Sequence, residues 1–101
     1  MDEFTRISVQ KAHEMMESGK VTIIDIRDAN SYAQGHILQA KQVTDENIKD
    51  FILTAEKEIP LICYCYHGIS SQQAASFFAH QGFKQVYSIN GGWEEWRATY
   101  V

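Results

Sequence analysis

The chemistry of this chain is concentrated in seven consecutive residues, Cys65-Tyr66-His67-Gly68-Ile69-Ser70-Ser71. A cysteine attacks as its thiolate, and a free thiol, with a pKa of about 8.5, is only a few per cent ionised at neutral pH. Converging backbone amides and a helix N-terminus lower that value to roughly 3.5–7.5. The flanking residues predict such a setting. Leu61-Ile62-Cys63-Tyr64-Cys65 is a continuous apolar run, as expected of a strand buried on both faces. Gln72 to Gln81 places Ala74, Ala75, Phe77 and Phe78 at helical spacing. Cys65 therefore lies at a strand tip with a helix starting a few residues later. His67, Gly68, Ser70 and Ser71 leave backbone N–H groups free to turn inward, and Ser70 and Ser71 suit helix caps. Such a ring of donors is an anion cradle. Cys65 is the candidate nucleophile, and Tyr66 to Ser71 are the candidate loop that binds its substrate.

The remaining elements must hold that loop. Ile7 begins a short edge strand, and Ser8 caps a helix whose apolar stripe is Val9, Ala12, Met15 and Met16 and which ends at Gly19. Val21 to Asp25 reads as a second buried strand. It leads into Ile26-Arg27-Asp28, a single helical turn at Asn30 to Gln34, and an extended piece near Lys41 to Val43. Thr44 caps a helix from Asp45 to about Ala55, with its buried face at Ile48, Phe51, Ile52 and Ala55. Pro60 opens the central strand, where its missing donor does least harm. Gln85 to Ile89 is the last strand. Asn90-Gly91-Gly92 makes a tight turn, and Trp93, Trp96 and Arg97 begin the last helix. Alternating strands and helices imply an α/β fold, with a mostly parallel sheet of about five strands and helices on both faces. Ligands of such sheets bind beyond the carboxyl ends of the strands, so Arg27, Asp28, Cys65 and Asn90-Gly91-Gly92 belong at one end.

Bulk properties narrow the function classes. A chain of 101 residues without linker or repeat is one small domain. A net charge of −4 argues against a nucleic-acid or anionic-membrane partner, so local donors must attract any anionic substrate. No apolar run approaches a membrane span, and Met1-Asp2-Glu3 is acidic where a secretory signal is basic. Cys63 and Cys65 point the same way along one strand, about two strand rises apart, too far for a relaxed disulfide. Neither a C-x-x-C pair nor a Cys/His set at zinc spacing occurs, so no metal or cofactor is expected and a cytoplasmic location fits.

Four motifs, in order, resemble the rhodanese family: Asp25-Ile26-Arg27-Asp28, Gly35-His36-Ile37, Cys65 to Ser71, and Gly91-Gly92-Trp93. In particular they are similar to its single-domain bacterial members associated with glycerol-3-phosphate operons. The resemblance implies a rhodanese-like fold over residues 1–101 and a sulfurtransferase activity, with Cys65 as the nucleophile that carries sulfur as a persulfide. It implies thiosulfate as donor, sulfite as product, and thiophilic acceptors such as cyanide or reduced thioredoxin. Some relatives carry Arg or Lys just after the cysteine; here Tyr66 and His67 stand there, which puts the grip on thiosulfate in question. Two other readings attach to the same fold. One is a binding or carrier module, which the presence of Cys65 disfavours. The other is a phosphatase or arsenate reductase, whose loop is one residue longer and closes on an arginine where Ser71 stands.

Other residues are expected to serve the structure. Arg27 should pair with Asp25, Asp28 or a helix carboxylate and so fix the loop. His36 should support the fold, Cys63 should be a packed thiol, and Trp93 and Trp96 should join the core. His13 and His80 should lie at the surface.

Overall fold

The computed structural model describes residues 3–101. Five strands form one all-parallel sheet: β1 (Thr5–Ile7), β2 (Thr22–Asp25), β3 (Lys41–Gln42), β4 (Leu61–Tyr64) and β5 (Val86–Ile89). Their order across the sheet is β1-β5-β4-β2-β3. The helices are α1 (Val9–Ser18), α2 (Ala29–Gln34), α3 (Ile48–Thr54), α4 (Ser70–His80) and α5 (Gly92–Tyr100).

Central β4 is buried along its whole length because both of its faces are covered. Ile62 and Tyr64 face one apolar cluster, with Ile7, Val9 and Ala12 from the first part of the chain and Trp93 and Trp96 from α5. Met15 and Met16 lie against that cluster. Leu61 and Cys63 face the other, with Phe51 of α3, Ala75 and Phe78 of α4, Phe83 and Val86. The period-two alternation of β4 thus divides the core into two layers. Because all strands run the same way, the C-terminal ends of β2, β4 and β5 lie together.

Several boundaries differ from the sequence expectation. β1 ends on Ile7 rather than beginning there. β4 stops at Tyr64, so Cys65 is the first residue beyond the strand. α3 begins at Ile48, and Thr44 does not cap it. Instead Thr44 N–H donates to Asn47 Oδ1 (2.7 Å), and Thr44 Oγ1 accepts from Glu46 N–H (3.3 Å). These local bonds close a separate turn ahead of the helix, since short polar side chains compete for the backbone. α4 begins at Ser70, two residues before the predicted start, with Ile69 in the cap position. Ser70 and Ser71 are therefore the first two helical residues and not caps. Ser8 caps α1 as expected, accepting from Lys11 N–H at 3.0 Å.

Candidate active site

The N-terminus of α4, which no capping side chain closes, meets the cysteine. Ser71 N–H, the second amide of α4, is one that an N-cap side chain ordinarily satisfies. Here it donates to Cys65 Sγ at 3.2 Å. Gly68 N–H donates to the same sulfur at 3.2 Å, and Ser71 Oγ lies 3.4 Å from it. The sulfur thus caps α4 from outside the helix and sits at the positive end of its dipole. Burial pushes the Cys65 thiol up, but the Ser71 hydroxyl, the Ser71 and Gly68 amides and the His67 amide together bring it below the ordinary thiol value.

Two glycines allow the loop to close this tightly. Gly68 has φ +87°, and a Cβ there would fall 2.7 Å from Gly91 N. Gly92 has φ +56°, and a Cβ there would fall 2.4 Å from Cys65 O. Both positions combine left-handed backbone with close backbone approach. The first amides of α5 complete the junction: Trp93 N–H donates to Cys65 O (2.9 Å) and Glu94 N–H to Tyr66 O (3.1 Å). One helix N-terminus thereby holds the loop carbonyls while another faces the sulfur.

Each predicted loop residue has a definite place. Cys65 keeps 7% of its surface, and Gly68 and Ser71 are buried. Tyr66, His67, Ile69 and Ser70 are exposed and form a rim. Ile69, 74% exposed, is the most open of the large apolar side chains on this rim. The Tyr66 and His67 rings stand 5.0 Å apart, and the Tyr66 ring lies 5.9 Å from the Arg27 guanidinium carbon.

Arg27 pairs with Asp25, as expected. Its Nε and Nη2 meet the two carboxylate oxygens, with Nη2 to Oδ2 at 2.6 Å, and Nη2 also donates to Gly35 O at 2.7 Å. Sequence reasoning missed the third member of this buried group. Tyr64 OH donates to Asp25 Oδ2 (2.6 Å) and accepts from Ile37 N–H (3.0 Å). The motif at residues 35–37 therefore works through its backbone, while the His36 ring stacks on Tyr32 at 3.8 Å in the open. Trp93 and Trp96 are buried. His13 stacks on Tyr100 at the α1–α5 contact, and His80 is exposed on α4.

Sequence reasoning also missed Ser88. Its hydroxyl lies 2.7 Å from Ser71 Oγ, at no exposure. The available signal was a lone polar residue within the buried strand Val86-Tyr87-Ser88-Ile89, since a buried hydroxyl requires a partner. Among the described residues no group of three metal-ligating side chains occurs, and no helix is long and apolar enough to cross a membrane.

Residues 8–99 match the rhodanese-like domain family. A thiosulfate sulfurtransferase GlpE from Ectopseudomonas mendocina is 50% identical over 100 residues, covering 99% of this chain and 91% of the relative. A rhodanese-like domain protein from Staphylococcus aureus superposes with a TM-score of 0.81 at 23% identity, over 92% of this chain and 91% of that one. A Rhodopseudomonas palustris protein described as a possible tyrosine phosphatase gives a TM-score of 0.81 at 25% identity, over 94% and 80% of the two chains.

Proposed function

The chain belongs to the rhodanese family, and on that premise we propose that it is a thiosulfate sulfurtransferase that works as a single domain through Cys65. The Cys65 thiolate attacks the outer sulfur of thiosulfate. The sulfur–sulfur bond of the donor breaks, sulfite leaves with the electron pair, and the sulfur stays on Cys65 as a persulfide. A thiophilic acceptor then attacks the terminal sulfur and restores the thiolate. Cyanide leaves as thiocyanate. A dithiol such as reduced thioredoxin takes the sulfur and then closes its own disulfide, releasing hydrosulfide. Tyr66, His67, Gly68, Ile69, Ser70 and Ser71 form the loop that binds substrate and persulfide.

The observation that carries this reading is the ring of donors on Cys65 Sγ, two amides at 3.2 Å and the Ser71 hydroxyl at 3.4 Å. It suits a group that is anionic before attack and anionic again, one atom further out, after loading. A phosphatase needs a bidentate guanidinium on the equatorial oxygens, and Ser71 stands where that arginine would be. Grip on the sulfonate of thiosulfate falls to backbone donors and to His67, because Arg27 is committed to Asp25. Thiosulfate binding is accordingly weak, and another sulfane-sulfur compound can replace it as the cellular donor. The GlpE name of the relatives supports a role linked to glycerol metabolism, and we place that role in the cytoplasm.

The test is intact-mass analysis after incubation with thiosulfate and removal of excess. One added sulfur is expected, removable by cyanide and absent from Cys65→Ser. No gain of sulfur from thiosulfate or any other sulfane-sulfur donor would overturn the reading.

A further inference from the structure

Ser88 lies in the middle of the sheet, in register with Arg6 of β1 on one side and Cys63 of β4 on the other. Its side chain is fully buried, and its hydroxyl meets one group, Ser71 Oγ at 2.7 Å. Ser71 Oγ in turn meets Cys65 Sγ at 3.4 Å. Ser88 Oγ, Ser71 Oγ and Cys65 Sγ thus form a line of three atoms with two links. Among the described residues no other acceptor meets either hydroxyl.

Counting protons gives this line a direction. With a neutral thiol it holds three protons for two links, so more than one arrangement is open and each leaves one proton outside the line. With a thiolate it holds two protons for two links, and a single arrangement satisfies both. Ser88 O–H donates to Ser71, and Ser71 O–H donates to the sulfur. In that arrangement each bond polarises the next, so the second hydroxyl strengthens the donor that reaches the sulfur. Ser88 also holds Ser71 Oγ in place, since a hydroxyl on the first turn of a helix has other staggered positions open to it.

We propose that Ser88 is a positioning residue for the Cys65 sulfur, acting through Ser71 to hold that hydroxyl as a donor toward the anion. Ser88 touches no reacting atom. The inference deepens the sulfurtransferase reading and rests on it for its biological meaning. Its test reads only the ionisation of the sulfur, so either can fail without the other.

The experiment is the pH dependence of Cys65 alkylation, with thiolate ultraviolet absorbance as a second readout, in full-length protein. Ser88→Ala is expected to move the midpoint upward, seen as a two- to fivefold lower rate one pH unit below the wild-type midpoint. Ser71→Ala is expected to move it further. Adding Ser88→Ala to Ser71→Ala should change nothing more, because the link is already cut. The neighbouring titratable and charged groups are unchanged in every variant: Cys63 and Tyr64 on β4, Arg6 on β1, Tyr66 and His67 on the loop, and Glu94 on α5. If Ser88→Ala does not fold, Ser88→Thr and Ser88→Val, nearly equal in volume, isolate the hydroxyl. Thr should titrate as wild type and Val should not. A wild-type titration for Ser88→Ala, an equal shift with or without Ser71, or identical Thr and Val titrations would each overturn the proposal.

Discussion

Cys63 and Cys65 are two residues apart, both free and both buried, yet their surroundings give them opposite chemistry. Cys63 lies among Ile24, Leu61, Phe51 and Phe78, with no donor among the described residues aimed at its sulfur, and burial pushes its thiol far above the ordinary value. Cys65 is nearly as enclosed, with 7% of its surface exposed against none for Cys63. It has gone just past the end of β4, where the backbone is no longer consumed by the sheet ladder and amides can turn toward a side chain. Burial penalises both thiolates, and only one is compensated by hydrogen bonds. The comparison teaches that the strand's last backbone pairing, rather than depth below the surface, divides a thiol pushed above its ordinary value from one brought below it.

Competition between the two thiols for one alkylating reagent gives the largest contrast. At pH 7 Cys65 should react first, faster than Cys63 by about 10³-fold or more, because Cys63 becomes accessible only through opening that approaches global unfolding. Peptide mapping after timed quenching measures the ratio. The Cys65 rate should be flat above its folded-state pKa and fall tenfold per pH unit below it, with a midpoint under that of a free thiol. The linkage sign follows. A lowered thiol pKa contributes stability that is complete above the unfolded value and is lost as pH falls through the folded one. Comparable rates for the two cysteines would break the contrast.

The second way to sharpen it is to disturb the donor ring while leaving the apolar layer intact. Gly92→Ala places a methyl 2.4 Å from Cys65 O and 2.7 Å from Tyr66 O, on backbone with φ +56°. Overpacking and left-handed strain together should cost roughly 2–5 kcal/mol. Gly19→Ala is the matched control, since its φ of −171° is ordinary and no atom lies within 4 Å of the added Cβ. Thermal unfolding with Cys65 alkylation measures the outcome. Gly92→Ala should lower stability and move the Cys65 midpoint toward that of a free thiol, and Gly19→Ala should do neither. An unchanged Cys65 titration in folded Gly92→Ala would show that the α5 junction does not hold the ring.

The cysteine, its glycine turn and the flanking elements were legible in the sequence because each rests on local pattern: an apolar run, helical spacing, a glycine where the chain must turn. The pairing of Arg27 with Asp25 was legible for the same reason, since the partners are two residues apart. What was not legible joins residues distant in the chain. Tyr64 reaches Asp25 across 39 positions and Ser88 reaches Ser71 across 17, and neither partner can be named without the strand order that places β4 between β2 and β5. The start of α4 was misplaced because its second amide, at Ser71, is satisfied by Cys65 and not by a side chain in the cap position, so no cap residue marks it. The start of α3 was misplaced because Thr44 and Asn47 satisfy each other first.

Tyr64, which separates the two cysteines in the chain, supplies the smallest expected effect on the reactive sulfur. Its side chain points to the layer opposite Cys63, and its hydroxyl joins Asp25, and through it Arg27, to the backbone at Ile37. Burial, reinforced by the Asp25 carboxylate, pushes the phenol above its ordinary value, so it stays neutral and adds no charge near the sulfur. Tyr64→Phe keeps the ring and its packing but orphans the buried Ile37 N–H and one acceptor position on Asp25. The expected cost is about 1–3 kcal/mol of stability, measurable by denaturant unfolding. The Cys65 alkylation midpoint should stay at the wild-type value, because no donor to the sulfur depends on that hydroxyl. A shifted midpoint in stably folded Tyr64→Phe would mean that the buried Asp25–Arg27–Tyr64 group tunes the thiolate as well as supporting the loop, and the division between strand and loop drawn from the two cysteines would then have to include the network beneath them.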